Sequence, residues 1–250
     1  MVNYRDLFPI IGASFEELKA VATFLSDKED IASPTTVLIG GWAVHHYNAW
    51  YGSIDIDLIT SHKTEHSLKK YLIEHRGFIR YKTADDSKEV KKILPNGTSI
   101  MIDFGRRDRP DPFEGMDSSL DYRFLDGNTL PWEMETGVII SVPFRTELLM
   151  MKMKAAWDRE YRVVNNTSHD RDWELDKLKK DRGDILALID PQYGGREIRL
   201  DHLGDYISRY PFLLSVIESI KNDRSAIERY GRMDYDIVNR TLNELTYLVR

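Results

Sequence analysis

The chain of 250 residues contains no cysteine. That excludes a disulfide framework, a thiolate zinc site and thiol catalysis at one stroke. No apolar run approaches the roughly 20 residues of a membrane-spanning helix. The opening stretch Met1-Val2-Asn3-Tyr4-Arg5-Asp6-Leu7-Phe8-Pro9 lacks the apolar centre of a secretory signal. The expectation is a cytoplasmic protein with no membrane partner. Internal repeats and low-complexity tracts are missing as well. Nor is there an excess of positive charge: 35 Lys and Arg stand against 41 Asp and Glu, a net charge of -6. The surface as a whole is therefore no trap for nucleic acid, and any RNA or DNA must be gripped by a local basic patch. What the chain does have is 42% hydrophobic residues, enough for a substantial core in one large domain or two smaller ones.

The most informative stretch is Val37-Leu38-Ile39-Gly40-Gly41, followed by Asp55-Ile56-Asp57-Leu58. Side chains alternate along a strand, so Asp55 and Asp57 share one face while Ile54, Ile56 and Leu58 pack on the other. Two carboxylates about 5 Å apart repel by roughly 3 kcal/mol at an effective dielectric of 20. Such a pair on a buried strand makes sense with a cation between them, and Mg²⁺ suits hard oxygen ligands completed by phosphates and water. Gly40-Gly41 alone reads as a plain strand-to-helix turn. Ahead of a helix over Trp42–Trp50, it also lets amides at the helix start face a triphosphate.

A third acid follows. Lys91 to Phe104 holds an Asn96-Gly97 hairpin signal between apolar runs, with Asp103 near the end of the returning strand. Ser99, Met101 and Asp103 share one face, and Ile100, Ile102 and Phe104 the other. Asp103 alone reads equally well as a turn or cap residue. Beside Asp55 and Asp57 it completes a set suited to two divalent ions clamping the oxygens of a phosphoryl displacement.

Periodicity organises the rest. Ser14-Phe15-Glu16-Glu17 is a capping-box start for a helix to about Asp27, Thr35–Ile39 reads as a strand, Ile54–Thr60 as the acid-bearing strand, and Thr64–Arg76 as an amphipathic helix. Gly105–Ser119, with Pro110, Pro112 and Gly115, reads as a loop. Thr136–Pro143 is strand-like, and from Phe144 onward the pattern is helical, which places a domain boundary near Pro143. The class is α+β: a small mixed sheet with helices in residues 1–143, then a helical domain in residues 144–250.

Other chemistry-bearing residues have simpler readings. His45-His46 point in different directions from a helix, so a packed pair outweighs a zinc site. His169-Asp170 lacks the partners of a metal dyad and reads as a loop. Trp132, Trp157 and Trp173 read as core, with one available to stack on a base. Lys154 reads as a side chain reaching from core to water. Asp181 and Asp184 lie three apart on one helical face, where pairing with Lys177 and Lys180 explains them as well as function does.

Gly40-Gly41, a short helix, the Asp55-x-Asp57 pair and the single later Asp103 resemble the DNA polymerase beta type nucleotidyltransferase superfamily. Glu147-Leu148-Leu149-Met150-Met151-Lys152-Met153-Lys154-Ala155 with Arg159, and Lys180-Asp181-Arg182-Gly183-Asp184-Ile185, are similar to the helical part of its abortive-infection, toxin-like group. The resemblance covers roughly residues 35 to 190. It departs at Tyr51, where relatives often carry a basic residue, while Ser53 keeps the small hydroxyl residue; residues 161–176 look like an insertion.

The resemblance implies a nucleotidyltransferase core whose cleft is completed by the helical domain. It implies an ATP-type NTP as donor and two Mg²⁺ ions on Asp55, Asp57 and Asp103, the catalytic set. Gly40, Gly41, Ser53, Lys152 and Asp181 would bind the nucleotide, with Lys152 on the triphosphate and Asp181 orienting Lys152 or the sugar. The acceptor it favours is the 3′ end of tRNA or another RNA, with an antitoxin as a further partner. An aminoglycoside-like small molecule or a protein hydroxyl is the alternative acceptor, and a non-catalytic nucleotide-binding module the alternative class.

Overall fold

The computed structural model describes residues 4–82 and 88–249. The chain divides into two compact units, residues 1–110 with 121–143, and residues 111–120 with 144–250.

The first unit runs α1 (Tyr4–Ser26), β1 (Val37–Ile39), α2 (Gly40–Tyr47), β2 (Ile56–Thr60), α3 (His62–His75), β3 (Ile79–Lys82), β4 (Lys88–Ile93), β5 (Ser99–Arg106), then, after an excursion, two further strands. The excursion contributes the short strands β6 (Asp111–Pro112) and β7 (Ser119–Leu120) to the second unit. The first unit resumes with β8 (Thr129–Glu135) and β9 (Val138–Pro143). Among the described residues its sheet has seven strands in the order β3-β4-β5-β2-β1-β9-β8. The sheet is mixed: β2 runs parallel to β5 and β1 to β9, and the other neighbours are antiparallel.

One face of this sheet is a core. Ile56, Leu58, Val90, Ile100 and Ile102 are almost completely buried there, as are Leu18, Val21 and Ala22 of α1 and Leu68 and Leu72 of α3. Glu17 of α1, buried on the same side, receives Lys92 of β4 at 2.7 Å and Arg76 at 3.0 Å. Alternation then turns Met101 and Asp103 of β5 to the opposite face, where both are half-buried.

Several boundaries differ from the sequence reading, each for a local reason. Helix α1 starts at Tyr4 instead of Ser14, because Ile10 and Ile11 also bury; Ser14 lies inside the helix, where its Oγ accepts from Trp42 Nε1 at 3.1 Å instead of capping. Strand β2 begins at Ile56, so Asp55 sits on the bend just before it. Strands β3 and β8 were not expected. Both lie at sheet edges, and β8, with Pro131 and no buried residue, carries little apolar signal. The hairpin is as expected: Leu94 N donates to Thr98 O at 2.8 Å, and Gly97 takes the left-handed conformation at φ 82°.

The second unit contains α4 (Arg145–Asn165), α5 (Arg171–Ile189), α6 (Leu200–Arg209), α7 (Leu214–Asn222), α8 (Arg224–Tyr230) and α9 (Tyr235–Leu248). Helices α4 and α5 bury long apolar stripes, including Leu148, Leu149, Met153, Leu178, Ile185 and Leu188. Residues 161–176 take regular structure in this unit. They form the end of α4, a turn closed by Asn166 at φ 53°, and the start of α5, where Asp170 accepts from Trp173 N at 3.0 Å. Residues 111–120 belong to this unit because α4 grips them. Lys154, buried instead of reaching to water, contacts Asp111 at 2.9 Å and Pro112 O at 3.0 Å, and Glu114 N donates to Asp158 at 2.9 Å.

Candidate active site

The site in the first unit is built by strand register. Ile39 of β1 pairs with Asp57 of β2, and Asp57 pairs with Asp103 of β5. At the end of β1 the chain turns through Gly40, whose φ of 68° is the left-handed conformation that favours glycine. The turn brings its Cα hard against the acid: a Cβ there would lie 1.8 Å from Asp57 Oδ2. Gly41 is buried in the first turn of α2, and Ile39 at its cap offers no side-chain acceptor. The two glycines therefore serve close approach to Asp57 as well as the opening of a helix. Ser53 is buried in the loop before β2, and Asp55 is half-buried on the bend that follows it.

Asp103 is the electrostatic focus. Burial, then the negative charges of Asp57 and Glu89, a hydrogen bond shared with Glu89, and the charge of Asp55 push its carboxyl up to about 9. Its Oδ1 is buried with no hydrogen-bond partner. Glu89 was missed in the sequence. The signal that could have found it is the hairpin register: Val90 pairs with Ile102, so the next step along brings Glu89 beside Asp103.

The aspartates are neighbours by register and by field. Among the described residues, however, no three acidic or histidine side chains form a ready-made metal-ligating group. The donor set itself suits a hard divalent cation. It is all oxygen, and it includes a buried oxygen lacking a donor.

Lys152 and Asp181 belong to the second unit. Lys152 Nζ lies 2.9 Å from Asp181 Oδ1 and 2.6 Å from Asp184 Oδ2, all three side chains being buried. Asp181 Oδ2 also receives Arg159 Nε at 2.8 Å, and Arg159 reaches Glu174 at 2.6 Å. Burial works against charge at both centres, but the partners outweigh it: Asp181 and Asp184 hold the Lys152 ammonium above its ordinary range, and Lys152 and Arg159 hold Asp181 below its own. Lys180 pairs with Asp184 at 3.0 Å, and burial holds its pKa below the usual value.

The remaining candidates pack, except Trp173, which was expected in the core and is exposed. His45 lies edge-on to Trp42, and His46 lies against Tyr47 and Trp132. Trp157 donates to Glu114 O at 3.0 Å, and Asp170 of the His169-Asp170 pair is a helix cap. Trp173 is exposed, with Arg159 and Lys177 over its ring. Among the described residues no helix is long and apolar enough to cross a membrane. No protein-family model matches the chain, and no curated protein matches it.

Proposed function

We propose that this chain is a Mg²⁺-dependent nucleotidyltransferase that moves a nucleoside monophosphate from an NTP to an acceptor hydroxyl, with an RNA end as the favoured acceptor. The observation that carries the reading is the pairing of Asp57 with Asp103 across β2 and β5, with Gly40 packed against Asp57 and an unpartnered oxygen on Asp103. Asp55, Asp57 and Asp103 would hold Mg²⁺, which would supply neutralisation of the triphosphate and acidification of the acceptor hydroxyl.

The chain's own residues do the rest. Gly40 and Gly41 present a side-chain-free approach for the phosphates. The acceptor oxygen attacks the α-phosphorus, the new P–O bond forms as the bond from the α-phosphorus to the bridging oxygen breaks, and pyrophosphate leaves with that electron pair. Asp103, a carboxylate once a bound cation offsets the charges that raise its pKa, takes the hydroxyl proton.

The test incubates the protein with each labelled NTP, Mg²⁺ and total cellular RNA, and follows label and pyrophosphate. Label entering RNA with stoichiometric pyrophosphate, lost in Asp57→Asn while the circular dichroism spectrum is kept, is the expected result. Magnesium-dependent NTP binding with no pyrophosphate release from any acceptor would overturn it in favour of a binding module.

A further inference from the structure

The row of cross-strand neighbours that holds the acids does not stop at them. Tyr81 of β3 pairs directly with Glu89 of β4, Glu89 shares a hydrogen bond with Asp103 of β5, and Asp103 pairs with Asp57 of β2. Tyr81 therefore stands on the same face as the acids, two strands from Asp103. Two strand spacings amount to about 10 Å.

The surroundings of Tyr81 are unusual for the edge of a sheet. Its side chain is 38% exposed, and Ile79 and Ile93 on the same face are 51% and 59% exposed. Lys91, paired with Ile79, holds its ammonium 4.8 Å from the centre of the Tyr81 ring. The opposite face of the same strands carries Val90 and Lys92, tied into the core through Glu17. Edge strands in water ordinarily carry protective charge, which β3 has at the exposed Arg80 on its other face. Here an aromatic ring, two aliphatic side chains and a cation form a platform continuous with the acidic row.

A partner that fits must offer a flat apolar group for the ring, negative charge for Lys91, and a hydroxyl about two strand spacings away at Asp103. The end of a single-stranded RNA has all three. We infer that Tyr81, flanked by Ile79, Lys91 and Ile93, is the acceptor platform, stacking on a base near the RNA 3′ end and so delivering the terminal hydroxyl to Asp103. This rests on the transferase reading above and adds the residues that hold the acceptor.

The experiment measures transfer from a labelled NTP to a short single-stranded RNA. The acceptor carries either intact or abasic nucleotides at its last three 3′ positions. The unaltered protein is compared with Tyr81→Phe, Tyr81→Ala and Lys91→Ala. Loss of a stacking ring raises the acceptor KM in Tyr81→Ala by about 5- to 150-fold, while Tyr81→Phe stays within about 2-fold. Lys91→Ala raises it too and flattens its salt dependence. The abasic acceptor is poor for the unaltered protein and loses nothing further in Tyr81→Ala. The KM for NTP and the melting temperature stay put in both Tyr81 variants.

An unchanged acceptor KM in Tyr81→Ala, with transfer to RNA intact in the unaltered protein, overturns the platform and leaves the transferase standing. An equal loss on intact and abasic acceptors overturns stacking. Label found only in protein, or none in the RNA, overturns the platform; the transferase reading falls with it only if pyrophosphate release is also absent with total cellular RNA and protein.

Discussion

Gly40 and Asp57 are in such close contact that a methyl group on Gly40 would fall 1.8 Å from Asp57 Oδ2. Gly40→Ala must therefore displace the carboxylate and also strain a backbone held at φ 68°. The expected outcome is a loss of transfer by about 100-fold or more, about 3 kcal/mol of transition-state stabilisation, with about 1–3 kcal/mol of stability. Gly97→Ala is the control. It has a similar positive φ but open space around it, so it costs stability and spares transfer. Equal activity in the two variants, read in the labelled-NTP assay, would count against the role of Asp57.

The raised pKa of Asp103 makes a prediction about pH. Its folded value is about 9, and an unfolded aspartate titrates near 3.9. The folded state therefore holds the proton more tightly across that window. By linkage, the Asp103 contribution is fully present below about pH 4 and is lost as pH rises toward 9. Urea denaturation in chelator should show stability falling over that range in the unaltered protein and a shallower fall in Asp103→Asn. Parallel pH profiles would contradict the burial and crowding seen at Asp103.

Lys152 and Asp181 form a buried ion pair of the helical unit, 2.9 Å apart. Asp181→Asn takes one of two carboxylates from each of Lys152 and Arg159, which keep Asp184 and Glu174, and should cost about 1–3 kcal/mol. Removing both charges in Lys152→Met with Asp181→Asn should cost less than the sum of the single changes. Chemical denaturation of the four proteins measures the coupling, and strict additivity would show that the pair is not coupled.

Glu147 of α4 is wholly buried and draws three groups of α6 and its cap to one oxygen: Arg199 at 2.6 Å, Tyr206 at 3.3 Å and His202 at 3.4 Å. Glu147→Gln keeps the shape and removes the charge, at an expected cost of about 2–4 kcal/mol. Burial and then the Glu147 charge hold the Tyr206 phenol above its ordinary pKa. The same variant should bring that phenol down, visible as one tyrosine titrating earlier in ultraviolet difference spectra. An unchanged titration would remove Glu147 as a cause.

Some of this was legible in one dimension. Alternation along Ser99–Phe104 places Asp103 opposite the buried Ile100 and Ile102, and burial follows that pattern. The shift from strand-like to helical periodicity near Pro143 coincides with the passage from β9 to α4. The capping box at Ser14 misled, because a serine suited to starting a helix is equally suited to accepting a buried Trp42 N–H within one. Glu89 was overlooked because nothing about a glutamate among lysines marks it until the register of the hairpin is counted. Lys154 read as a snorkelling side chain, since the Asp111 and Asp158 that neutralise it are brought there only by folding.

What the amino-acid sequence by itself determined is local and periodic: which residues alternate, which glycines turn, which faces are apolar. These follow from steric rules acting over a few residues. Tertiary structure alone decided which acids are neighbours. Register sets Asp57 against Asp103, and the field of buried like charges makes Asp103 the odd one of the group. Register depends on the pairing of strands distant in the chain, and pKa on burial and partners, so neither quantity exists until the chain has folded.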